Sequence, residues 1–537
     1  MTDRCFNLAD LFEVVAHACP DRMCVVAGQH RLTYGELDER ANRAGHHLLD
    51  AGIRPGEHVA ILAHNRAEWL EAMLGALKAR AVPINVNYRY TASELHHVLA
   101  DSESVAVVGE RSLLARLAPV RARLPLLRHT VVLEDGDDQE VPGAVAYEDV
   151  LAVASPAGDF GSRSTDDRYI LYTGGTTGYP KGVVWRGEDI FFAAMGGGNI
   201  YGIPISEPGE LASKAAEAPL VHLLCAPLMH GGAQWAAFIG LTNAHTLVLY
   251  TGRGFDPHTA LSLVDAERVN ILMVVGDAMA RPVGTALAAD PDRYDVSSLV
   301  VIGSGGAPLT AAAREQLRPL LPDVIFRDSY GASETGAGGP SVETEAGEQG
   351  PPRFSMSDEV AVLDDDMNPV QPGSETVGKL ARSGHIPLGY YNDETKTAAT
   401  FGWDSSGRRW VAPGDLATVA ADGTIALLGR GSLVVNSGGE KVYPDEVESV
   451  LKTHPAVFDA VVVGVPDERL GQRVAAVVSR VPGGSGVELT REALVAHCRE
   501  GLAGYKVPRQ LVVVDEVQRH PTGKPDYDWA KQQLSSV

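Results

Sequence analysis

Cysteine is scarce in this chain. Five thiols stand among 537 residues, at Cys5, Cys19, Cys24, Cys225 and Cys498, with neither metal-ligand spacing nor a disulfide framework. They read as reduced thiols of a cytoplasmic protein, mostly core filler. Positive charge is also in deficit: 46 Lys and Arg face 69 Asp and Glu, a net charge of −23. That balance argues against non-specific nucleic-acid binding and against an anionic membrane surface. No run of 18 apolar residues occurs, so no integral membrane segment is expected. The opening MTDRCFNLADLFEVVAH is acidic from the start and does not read as a signal peptide. There is no internal repeat and no low-complexity tract. What is present is ordinary globular composition, 45% hydrophobic and 21% charged, on a length that calls for two or more domains. Any polyanionic ligand must therefore meet a local positive site.

Along the first half, helical and strand patterns alternate, as in a layered α/β body. Residues 7–17 carry a helical apolar stripe. Residues 33–49 read as a helix capped by Thr33, with Glu36 in the capping-box position. Strands are expected near 56–63, 82–86 and 105–108, with helices at 69–79 and 93–99 between them.

Residues 172–182 read YTGGTTGYPKG, four glycines and three threonines with one lysine. Consecutive N–H groups of such a loop form a concave anion site, hydroxyls add donors, and Lys181 adds a mobile positive charge. The composition suits a polyphosphate. It is not a Walker A loop, because Lys181 follows Pro180 and precedes Gly182. Gly196–Gly198 either break a helix or widen a pocket wall. His230, with Gly231 and Gly232, follows an apolar strand at 221–227, where open α/β sheets hold ligands.

A second Gly-rich turn, GSGGAPL at 303–309, follows a strand at 299–302. Next, DSYGASETG at 328–336 reads as a turn with an aromatic face for a purine, a phosphate donor in Thr335 and a hard oxygen ligand in Glu334, suited to Mg²⁺ carried by ATP. Residues 343–358 read as a mobile loop. Asp415, after Gly414, offers two acceptor oxygens to ribose hydroxyls. The pattern breaks at Gly429-Arg430-Gly431-Ser432, and the remainder reads as a separate small α/β unit.

Seven elements in order, TGGTTGYPKG, GSGGAP, YGASET, the Gly-Asp at 414–415, the Gly-Arg at 429–430, GGEKVYP at 438–444 and PTGK at 521–524, resemble the adenylate-forming superfamily of acyl-CoA synthetases, adenylation domains and luciferases. The wording GHIPLGYYND, LLGRGS and GKPDY is similar to actinobacterial FadD-type acyl-CoA synthetases. The resemblance implies an α/β fold: a large N-terminal domain (1–430) of two α/β subdomains plus a small β-barrel, and a mobile α+β lid (431–537). It implies activation of a carboxylic acid by ATP to acyl-AMP, then transfer to coenzyme A, in an enzyme that leaves room for a homodimer.

By the same resemblance, Thr173, Gly174, Gly175, Thr176, Thr177, Gly178 and Lys181 hold the β- and γ-phosphates. Gly305, Gly306, Ala307 and Tyr330 take adenine, Ser329 and Gly331 also bind ATP, and Asp415 and Arg430 hold the ribose. Thr335 and Glu334 serve the α-phosphate and Mg²⁺, Lys524 bridges carboxylate and α-phosphate, and Gly438, Gly439 and Lys441 approach pantetheine after the lid rotates. The acyl pocket is expected at Gly197, His230, Gly231 and Gly232, open enough for a bulky or ring-bearing acid. The chain departs from the family at Ser432, where Asp or Lys is common, and at Gly174, where Ser is common. The motifs serve ATP and do not distinguish CoA from a carrier protein or an amine as acceptor, nor a carboxylic acid from nitrite. A catalytically dead nucleotide-binding scaffold is disfavoured by the presence of Lys524, Glu334 and Lys181 together.

Overall fold

The computed structural model describes residues 5–173, 180–199, 202–340, 353–354, 358–437, 440–467, 469–482, 489–520 and 524–535. Two eight-stranded sheets form the body. One runs in the order 336–340, 325–332, 301–305, 271–274, 221–224, 246–249, 23–27 and 30–33; it is parallel from 23–27 to 325–332, with an antiparallel strand at each edge. The other runs 389–390, 181–186, 168–173, 82–85, 58–62, 106–110, 129–133 and 145–146, parallel from 168–173 onward. Helices Leu8–Ala18, Tyr34–Asp50 and Ala67–Lys78 pack between them, and the last is buried along its whole length. The capping box forms as read: Thr33 Oγ1 accepts from the Glu36 amide, and Glu36 accepts from the Thr33 amide at 2.8 Å. Satisfying two otherwise unpaired amides locally explains why this helix starts where the sequence says.

A third, seven-stranded antiparallel sheet stands where the small barrel was expected, and its last strand ends at Arg430. The fourth sheet, of five strands, begins at Val435 and builds the lid with helices Pro444–Lys452, Arg491–Gly501 and Tyr527–Ser535. Its two long strands, Val457–Asp467 and Gly471–Arg480, alternate between two apolar clusters, one under each face. No described helix is long and apolar enough to cross a membrane.

Two sequence expectations are corrected. The strand expected at 299–302 runs instead over Val301–Gly305, taking in the start of the Gly-rich stretch. The stretch expected as a turn at 328–336 is mostly strand, Ile325–Ala332, folding back on Gly336–Pro340. Pairing with 301–305 draws 325–329 into the sheet, and Gly331 pairs with Ala337, so the turn itself shrinks to 333–335. The loop at 343–358 lies largely outside the described residues.

Candidate active site

The phosphate-loop stretch joins two antiparallel strands, Arg168–Thr173 and Lys181–Arg186, with Thr173 directly opposite Lys181. Gly174, Gly175, Thr176, Thr177 and Gly178 lie outside the described residues. The entrance is stapled by a residue that the sequence reading missed. Asn85 donates to the carbonyls of Tyr172 (2.9 Å) and Met229 (2.6 Å) and accepts from the Tyr172 amide (2.8 Å). One buried amide thus fixes the phosphate hairpin against the His230 turn. Lys181 forms an ion pair with Asp393.

The hairpin at 331–337 carries Glu334 and Thr335, both buried. Trp185, from the strand after the phosphate loop, donates to the Ser333 carbonyl at 2.9 Å. Arg382 is buried and donates to the carbonyls of Ala193 (2.9 Å), Thr335 (2.9 Å) and Ala337 (2.8 Å). Thr335 Oγ1 accepts from the Ala332 amide at 3.1 Å and lies 3.3 Å from the Gly336 carbonyl, so it closes the turn. Glu334 Oε1 accepts from the Tyr390 hydroxyl at 2.7 Å.

Tyr330 donates its hydroxyl to Asp415 Oδ2 at 2.7 Å, and Arg430 Nε lies 3.3 Å from Asp415 Oδ1. Asp415 and Arg430 face each other across an antiparallel pair, which brings the two residues expected at the ribose together. Burial works against the charge of Arg430, but Asp415 and Glu334 outweigh it and raise its pKa. Gly305 and Gly306 open onto free space, where a β-carbon would meet no atom. Ser329 is exposed and Ala307 half-buried on the same rim.

Lys524 enters this cleft from the lid. Surrounding protein, then Arg430, lowers its pKa, while Glu334 and Asp415 pull the other way. Lys524, exposed on the lid, thus lies within electrostatic reach of Glu334, Asp415 and Arg430. His230, the residue before helix Gly231–Thr242, is pushed down to about 3 by burial and then by the charges of Lys524 and Arg89. Its Nε2 is buried with no hydrogen-bond partner among the described residues. It is a neutral imidazole beside the cleft.

The glycines expected at the acyl pocket divide. A β-carbon on Gly232 would meet nothing, whereas one on Gly231 would lie 2.8 Å from Leu171. Gly197 does not leave a vacancy, contrary to expectation: its β-carbon would lie 2.7 Å from Pro204 and 2.8 Å from Phe192. Gly196, Gly197 and Gly198 have φ of +72°, +56° and +77°, so glycine is there for the backbone conformation. In the lid, Lys441 is exposed on a hairpin, while Gly438, Gly439 and the Ser432 side chain lie outside the described parts.

No group of three or more His, Cys, Asp or Glu gathers as a resident metal site among the described residues. One carboxylate, Glu334, with a neighbouring hydroxyl and a cationic rim, fits a different case: Mg²⁺ arriving on a nucleotide, which keeps phosphates and water as its other ligands.

Residues 12–391 match the model of the AMP-binding enzyme family, and 446–524 match that of the AMP-binding enzyme C-terminal domain. The chain is 46% identical over 537 residues to the 3-oxocholest-4-en-26-oate–CoA ligase of Rhodococcus rhodochrous, covering 98% of this chain and 96% of that one. It is 40% identical to the medium-chain acyl-CoA ligase Mig of Mycobacterium avium, covering 99% of each. Among solved structures it superposes on the anthranilate CoA ligase AuaEII in complex with anthranoyl-AMP with a TM-score of 0.84 at 24% identity, covering 99% of each chain.

Proposed function

This chain belongs to the AMP-binding enzyme family and is an AMP-forming acyl–CoA ligase, and we propose that it acts on a bulky, ring-bearing acid with its carboxylate on an alkyl arm. A relative named for 3-oxocholest-4-en-26-oate, the CoA ligase of Rhodococcus rhodochrous at 46% identity, supports that class. The open space over Gly232 supports it independently.

The observation carrying the mechanism is the position of Lys524 among Glu334, Asp415 and Arg430. Carboxylate and triphosphate are both anions, so in-line attack at the α-phosphorus needs cationic groups where charge builds up. Lys524 would bridge the attacking carboxylate and the α-phosphate. Lys181 would leave Asp393 for the terminal phosphates. Asp415 and Arg430 would hold the ribose, and Tyr330 would present its ring to the adenine. Glu334 would ligate Mg²⁺, which when bound neutralises phosphate charge. Thr335 would exchange its Gly336 contact for an α-phosphate oxygen. His230, neutral and unpartnered at Nε2, would face the acyl carboxylate without adding charge. After pyrophosphate leaves, we place the hinge after Arg430: the lid (431–537) turns on the N-terminal domain (1–430), Lys524 withdraws, and Gly438, Gly439 and Lys441 approach the thiol that displaces AMP.

A panel of acids, read by pyrophosphate release with and without CoA, tests the reading. The expected outcome is CoA thioester from 3-oxocholest-4-en-26-oate and long-chain acids, with short acids poor. Turnover of nitrite or transfer to an amine in preference to CoA would overturn it.

A further inference from the structure

The short strand Gly389–Tyr390 adds to the edge of the phosphate hairpin, with Gly389 opposite Val184 and Tyr390 opposite Val183. The pairing continues as the Tyr391 amide donates to the Gly182 carbonyl at 2.8 Å. This register does two things at once. It turns the Tyr390 hydroxyl onto Glu334 Oε1 at 2.7 Å, and three residues on it sets Asp393 against Lys181. Glu334 lies 56 residues earlier in sequence, on the hairpin of the other body sheet. One segment therefore spans the cleft floor and touches both charged groups expected to handle the triphosphate and its ion. The tyrosine is itself held: its amide donates to Thr397 Oγ1 at 2.9 Å, and its ring meets Phe401 edge-on at 6.3 Å between centroids.

A carboxylate at the end of a two-carbon arm has several rotamers, and a metal ligand works only when its free oxygen points at the ion. The Tyr390 hydroxyl occupies Oε1, leaving Oε2 with no hydrogen bond from any described residue. We propose that Tyr390 is a positioning residue: it fixes the Glu334 carboxylate so that Oε2 meets the Mg²⁺ of incoming MgATP. The inference rests on the reading of Glu334 as the metal-binding carboxylate, and its test separates the two.

Tyr390→Phe removes the hydroxyl and keeps the ring. Binding of a non-hydrolysable ATP analogue is measured by calorimetry across a Mg²⁺ series, for the full chain, Tyr390→Phe, Glu334→Gln and the double variant, with pyrophosphate release followed in parallel. Loss of an outer partner to a metal ligand typically costs about tenfold or more in metal affinity. Tyr390→Phe should therefore raise the Mg²⁺ concentration for half-maximal nucleotide binding about tenfold. It should raise the KM for MgATP alike, leaving the KM values for acid and CoA and the melting temperature unchanged. In the Glu334→Gln background the same change should do nothing further. If Glu334→Gln shifts the Mg²⁺ series and Tyr390→Phe does not, the positioning role is wrong. If neither shifts it, Glu334 is not the metal-binding group, and the earlier reading fails with it. A uniform loss across all substrates with a lowered melting temperature would make Tyr390 a packing residue only.

Discussion

Arg281 and Phe458 clasp the lid to the body. The guanidinium of Arg281, from helix Asp277–Ala289, lies 4.6 Å from the centre of the Phe458 ring. It also donates to the Phe458 carbonyl and, at 3.3 Å, to that of Val457. Arg281 is buried, and this burial lowers its pKa. The contact is made in the same lid position that brings Lys524 within electrostatic reach of Glu334, Asp415 and Arg430.

Breaking the clasp should bias the lid away from adenylation. A desolvated cation–π contact is worth about 2 kcal/mol, or roughly tenfold or more in the population of this lid position. Arg281→Ala should slow pyrophosphate release about tenfold while sparing thioester formation from preformed acyl-adenylate. Lys524→Ala supplies the reference, expected to abolish the first half-reaction and spare the second. Equal loss in both halves for Arg281→Ala would show that the clasp serves folding and not the choice of lid position.

His222 and His245 face each other with Nε2 and Nδ1 2.8 Å apart. Burial, then the neighbouring histidine, pushes His222 down to about 3, and burial pushes His245 down to about 4. Both folded values lie below the unfolded value of about 6.5. Unfolded chain therefore takes up protons that the folded protein refuses until lower pH. The pair costs nothing above about pH 6.5, and stability falls as pH drops below it, by about 1.4 kcal/mol per pH unit for each histidine. Urea midpoints at pH 7.5 and 5 should show the double variant His222→Gln/His245→Gln losing about 4 kcal/mol less on acidification than the parent. An identical acid loss in both proteins would mean the pair is not held neutral.

The parts of this site that sequence made legible are those fixed by neighbours in the chain. The Thr33–Glu36 capping box spans three residues, so both partners could be read from the chain alone. Asp415 and Arg430 were legible as motifs, though not as partners facing each other across a hairpin. The roles of Asn85, Tyr390 and Arg382 were not legible, although Tyr390 stands in the stretch GHIPLGYYND. Each acts on groups brought near by sheet pairing, and nothing local marks a lone Asn, Tyr or Arg as a staple. Gly197 shows the opposite failure. An absent side chain looks the same in sequence whether it leaves a cavity or permits a positive φ, and only packing against Pro204 and Phe192 tells which.

That distinction gives opposite outcomes for two glycines. Gly197→Leu would force a side chain into a left-handed backbone and onto Pro204 and Phe192. Strain of about 1–3 kcal/mol from the backbone alone, with overpacking added, should lower the melting temperature and depress activity toward every acid. At Gly232, the second residue of helix Gly231–Thr242, a β-carbon enters open space without strain. Gly232→Leu should fold normally and fill the open space beside His230. The clash with ring-bearing acids, about 1–3 kcal/mol where no room remains, corresponds to roughly tenfold or more in kcat/KM. Short linear acids and the KM for ATP should be spared. Thermal melts and kcat/KM for a steroid and a medium-chain acid distinguish the two. If Gly232→Leu left steroid turnover unchanged, the acyl chain would not pass this helix start, and the cavity would have to be sought on the Gly305–Gly306 side of the cleft.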